Sequence, residues 1–62
     1  MSIALKKLKV MQKLEKLGVT NNSIKSLFEY DYDWCDNSVE EIVEQMVQEL
    51  GFADELMAAI YE

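Results

Sequence analysis

Between Val39 and Leu50 the apolar residues Val39, Ile42, Val43, Met46, Val47 and Leu50 stand at offsets 0, 3, 4, 7, 8 and 11. At about 100° per residue this gathers all of them on one face of an α-helix, and a strand of period two cannot accommodate them. The flanks agree. Ser38 followed by Glu41 has capping-box spacing. Asp36, Glu40 and Glu41 put acid at the positive end of the helix dipole. Gly51 suits the left-handed position that ends a helix, and Phe52 behind it can pack back onto the last turn. A helix with so regular an apolar arc must bury it, and the rest of the chain has to supply the cover.

Three further segments read as helices. In the first, near 2–17, Ile3, Val10, Leu14 and Leu17 fall on one side, with Ala4, Leu8 and Met11 beside them. Lys7 interrupts that apolar face. Gly18 suits the position after the last turn, and Val19 can then fold back onto Leu14. The second helix, near 21–30, has Thr20 as its N-cap and Val19 with Ile24 at hydrophobic-staple spacing. Ile24, Leu27 and Phe28 form its inner face. The third helix spans 39–50. The fourth, near 53–61, offers Leu56, Met57 and Ile60 with Ala59. Between the second and third, Asp31 to Asn37 is rich in Asp and Asn, which bond their own backbone and favour turns. Short connections between amphipathic helices predict an all-α fold, a small three- or four-helix bundle. Met11, Met46 and Met57 read as filler of its core.

The chain has 62 residues, room for a single domain, 1–62, with a thin core. One cysteine, Cys35, makes no internal disulfide, and no histidine is present to build a zinc set. Stability must come from helix packing, self-association or a partner. No apolar run approaches the roughly 20 residues of a membrane span, and residues 1–8 lack the pattern of a signal peptide. The expectation is a cytoplasmic protein with no membrane contact.

Charge is segregated. All six lysines lie between Lys6 and Lys25, where they face only Glu15, so residues 1–27 carry +5. Residues 28–62 hold eleven carboxylates and no base, hence −11, and the whole chain carries −6. Either the two parts neutralise each other or the acidic part is presented to a basic partner. Lys6, Lys9, Lys13 and Lys16 form one stripe on the first helix, within reach of Glu40 and Glu44 on the third.

Several chemistries can be weighed residue by residue. Asp31, Asp33 and Asp36 resemble the start of a calcium loop, but its fifth, sixth and twelfth positions are Cys35, Asp36 and Ile42, which supply neither the glycine nor the closing glutamate. A solvated acidic turn is the better reading. No histidine can serve Cys35 or a serine as base, and a bundle this small has little space for a water-excluded pocket. No enzyme, metal or cofactor is expected. Leu14 to Phe28 has a glycine turn and a polar-fronted second helix, like a helix-turn-helix, with Asn21, Asn22, Ser23, Lys25 and Ser26 in front. Phosphate neutralisation dominates DNA binding, and the downstream carboxylates oppose it.

The remaining feature is Glu29 to Asp36, where acids alternate with Tyr30, Tyr32 and Trp34. Aromatics serve as binding anchors and carboxylates steer basic partners; Tyr30 and Trp34 are also candidates to complete the core. The leading expectation is a small acidic interaction module that docks through Asp31, Tyr32, Asp33, Trp34 and Asp36 on a basic protein surface, one that normally holds nucleic acid, and so inhibits or modulates its target. In size and charge alone the chain resembles the very small acidic inhibitors made by phages and mobile elements. The alternatives are a homo-oligomeric accessory protein with helix 1 as its seam, and a DNA-binding regulator that uses helix 2.

Overall fold

The computed structural model describes residues 2–51 and 53–61. Among them the chain forms four helices, α1 (Ile3–Lys16), α2 (Asn21–Leu27), α3 (Val39–Leu50) and α4 (Ala53–Ile60), and no strand. α3 packs against both α1 and α4, and α2 packs on α1. The radius of gyration is 10.6 Å, the value of about 10.6 Å expected of a compact chain this long.

α1, α2 and α3 each start where a cap dictates. Ser2 accepts from the Leu5 N–H at 3.2 Å, and Thr20 Oγ1 accepts from the Ser23 N–H at 3.3 Å. Ser38 Oγ accepts from the Glu41 N–H at 3.2 Å, while Glu41 Oε1 accepts from the Ser38 N–H at 3.0 Å, a complete capping box. The ends follow equally local rules. After α1, Gly18 turns left-handed at φ 88°. Its N–H bonds Glu15 O at 3.0 Å and the Val19 N–H bonds Leu14 O at 3.1 Å. This is a Schellman closure, and it delivers Val19 to the core. Gly51 ends α3 at φ 83°. The packing expected of Phe52 lies outside the described residues.

α2 is shorter than its spacing suggests, ending at Leu27 and not near residue 30. The chain tightens there into i→i+3 bonds, with the Glu29 N–H on Ser26 O and the Tyr30 N–H on Leu27 O, each at 3.2 Å. Glu29 and Asp31 would sit at the negative end of a longer helix, which the dipole disfavours. The other boundaries agree with expectation to within one residue, the usual play at helix ends.

α3 is the hub. Ile42, Val43, Met46 and Val47 are fully buried, and Val10 and Leu14 of α1, Ile24 and Leu27 of α2 and Ile60 of α4 close around them. Met11 and Met57 pack on the rim of that cluster. Fully burying one such side chain contributes about 1.5–3 kcal/mol. The core does not use all of α1: Ile3 and Leu8, assigned to its apolar side by spacing, stay exposed at 45% and 47%. Ile3 lies in the first turn, and Leu8 lies on the side of α1 turned away from Val10. Among the described residues no helix is long and apolar enough to cross a membrane.

Candidate functional site

The acidic–aromatic segment between α2 and α3 is ordered by its own side chains. Asp33 Oδ1 accepts from the Asp36 N–H at 3.0 Å and the Cys35 N–H at 3.2 Å. These bonds, chiefly the one from Asp36, with help from the charge of Lys6, hold the Asp33 carboxyl below its usual range. Asp33 is therefore a turn-former as well as a charge. Asp31 and Asp36 are exposed.

Trp34 is half-buried and packs on the core. Its ring lies 5.5 Å from Phe28 and 6.0 Å, edge-on, from Tyr32. Two lysines of α1 reach it: Lys7 Nζ sits 5.3 Å from the ring centroid, and Lys6 Nζ donates to the Trp34 carbonyl at 2.8 Å. Lys7, the residue that interrupts the apolar side of α1, thus has an aromatic face as its partner. Tyr32 is also half-buried against the core. Burial, then the nearby negative charge of Glu49, pushes its hydroxyl pKa up, and that hydroxyl is buried with no hydrogen-bond partner among the described residues. The segment thus turns Tyr32 and Trp34 inward and leaves Tyr30, 56% exposed, as its outward aromatic. Tyr30 meets Tyr32 edge-on at 6.5 Å.

Beside Tyr30 a surface notch of about 250 Å³ opens between α2 and the end of α3. Leu27 and Leu50 give it an apolar floor; Asn22, Ser23, Ser26, Tyr30 and Glu49 form its walls. Sequence reasoning singled out neither Glu49 nor this notch. A signal existed: Glu49 flanks the apolar arc of α3 on the side opposite Glu40, so α2 and α1 must meet different acids. The same glutamate borders Asn22, Ser23 and Ser26, the polar front of α2, and an acid there repels phosphate.

The lysine stripe lies on the other side of the bundle. Lys6 and Lys9 share a surface hollow with Ser38, Val39 and Glu40. Lys13 shares one with Ser38, Glu40, Glu41 and Tyr61, and Lys13 and Lys16 line a third with Leu17 and Ala59. The stripe therefore faces the amino end of α3. The capping bonds from Ser38, assisted by Lys6, hold the Glu41 carboxyl below its usual range. Tyr61 donates to Glu44 Oε2 at 2.6 Å, which raises its own pKa. Among the described residues no cluster of three or more metal-ligating side chains is present. Neither a family model, nor a curated protein, nor a solved structure matches the chain.

Proposed function

We propose that this chain is a small helical contact module that captures a basic protein surface through the acidic face around Tyr30. The observation that carries the reading is the notch itself: an exposed tyrosine ring, a carboxylate from Glu49 and a floor of Leu27 and Leu50 stand together. This set matches an arginine or lysine side chain, with its stem on the leucines, its cation near the ring and its charge against Glu49. Glu29, Asp31 and Asp36, all exposed, add the field that draws such a partner in. In this reading Asp31 and Asp36 face the partner, while Asp33, Tyr32 and Trp34 hold the segment in shape beneath them. A surface that normally holds nucleic acid is a natural target, since it offers closely spaced lysines and arginines, and occupying it would inhibit or modulate its owner.

The test separates a shaped site from bulk charge. Asp31→Asn with Glu49→Gln and Asp54→Asn with Glu55→Gln change the net charge equally. Binding of an arginine-rich peptide, followed by calorimetry at low and moderate salt, should fall about tenfold or more for the first pair and for Tyr30→Ala. It should hold for the second pair. Equal losses from both pairs, with Tyr30→Ala neutral, would reduce the interaction to net charge and refute the site.

A further inference from the structure

The outer side of α1 presents a row that the bundle does not cover. Leu5 is 45% and Leu8 47% exposed; Ala4, Gln12 and Glu15 are exposed beside them and Met11 is half-buried at the edge. At about 100° per residue these six lie on the side of α1 turned away from Val10 and Leu14. Ile3 points the other way, along the Val10 side, and Lys7 is occupied by Trp34. The uncovered seam of α1 is thus its outer face and not the face that Lys7 interrupts.

We infer that this row binds a second copy of the chain in an antiparallel α1–α1 pair. The charge pattern is self-complementary only in that sense. Glu15 is the sole acid among residues 1–27, and it sits in the last turn of its own helix, the end where the dipole disfavours a carboxylate. Its neighbours three and four positions away are Met11, Gln12, Gly18 and Val19, so none of the six lysines answers it along the helix. The first turn of α1 has no acid. Antiparallel pairing with Leu8 on the two-fold axis sets Leu5 against the partner's Met11 and Ala4 against the partner's Gln12. It carries Glu15 to the positive end of the partner's α1. A parallel pair would stack Glu15 on its copy at the wrong end. An anionic lipid surface fits poorly, because the lysine stripe turns toward the carboxylates of α3 and an acid closes the leucine row.

One helical face is smaller than the ~800 Å² per partner of a standard interface, so the pair is weak, dissociating in the roughly micromolar-to-millimolar range. Lys9 flanks the row and meets its own copy across the axis, and each chain carries −6. Added salt therefore tightens the pair. The seam is separate from the acidic face proposed above, and its test is independent of any partner. In a Cys35→Ser background, Leu8→Cys should oxidise to a covalent dimer while Ile3→Cys stays monomeric. Sedimentation equilibrium of the intact chain should show a reversible dimer strengthened between about 50 and about 500 mM salt. Leu8→Glu, an exposed change that circular dichroism should find folded, should weaken it at least about tenfold. Equal cross-linking at positions 3 and 8, a monomer at every concentration, weakening by salt, or Leu8-dependent binding to anionic vesicles in place of self-association would each overturn the inference.

Discussion

Replacing Trp34 by alanine tests whether this aromatic is a structural wedge. In full burial a Trp→Ala change costs about 3–5 kcal/mol. Trp34 is half-buried, which scales the loss to roughly 2 kcal/mol on the same basis. The stacking of Lys7 at 5.3 Å adds about 0.5–1 kcal/mol at an exposed site. The sum, about 2–3 kcal/mol, is large beside the roughly 3–9 kcal/mol that a chain of this length can muster at ~0.05–0.15 kcal/mol per residue. The bond from Lys6 ends on the Trp34 carbonyl, so it survives the change and the segment keeps one tether. Urea unfolding followed by far-ultraviolet circular dichroism measures the loss without the missing fluorophore. Trp34→Phe should recover about half of it, because a smaller ring still reaches Phe28 and Tyr32. A double-mutant cycle with Lys7→Ala should give a coupling of about 0.5–1 kcal/mol. A Trp34→Ala variant within about 0.5 kcal/mol of the parent, with no coupling to Lys7, would match an ordinary surface substitution and refute the structural role.

Two further outcomes follow from the helix ends. Gly18→Ala and Gly51→Ala meet open space, so each should lose only the left-handed backbone cost of about 1–2 kcal/mol, read as a lower melting temperature with an unchanged spectrum. Ser38→Ala should cost about 1 kcal/mol by removing the α3 cap. It should also flatten the acid side of the stability profile in part. The backbone N–H of residue 38, the chief group that holds Glu41 below its ordinary value of 4.5, survives the change and only the hydroxyl's share is removed. That share is present above that pH and is lost as pH falls through the lower folded value.

What the sequence made legible was governed by neighbours along the chain. The arc of α3, the caps at Thr20 and Ser38, and the glycine closures depend on residues within about one turn of each other, and they stand where spacing put them. Long-range packing was less visible. Period alone could not say that Ile3 stays uncovered or that Leu8 falls outside the buried arc, because the length and width of the cover that the other helices provide are tertiary properties. It also could not choose which aromatic of the 29–36 segment turns inward. That choice follows from Asp33, whose side chain takes the Cys35 and Asp36 amides, tightening the turn around Trp34. Tyr32 and Trp34 then go to the core and Tyr30 is left outside. Glu49 escaped notice because its importance depends on α2 lying across it.

The split of charge along the sequence becomes a split of a different kind in space. The lysine stripe faces the amino end of α3, yet among the described residues no lysine nitrogen comes within 4.0 Å of a carboxylate oxygen. Direct pairing is not needed there. Glu41 is already satisfied by Ser38, the dipole of α3 favours Glu40 and Glu41, and exposed ion pairs would add only about 0–1 kcal/mol each. The stripe acts as a field that offsets the acids of that end and, through Lys6, ties α1 to the loop. Glu49 lines the notch with Tyr30, Glu29 and Asp31 flank that tyrosine in sequence, and Lys9, Lys13 and Lys16 line hollows elsewhere. Under the proposed function, attraction of a base over a Debye length of about 8–10 Å is weakened by any lysine of the chain that lies beside the notch. Lys9 and Lys13 stand beside the carboxylates at the amino end of α3, and Lys6 and Lys7 are engaged with Trp34, so most of the positive charge of α1 is already directed at the chain's own groups.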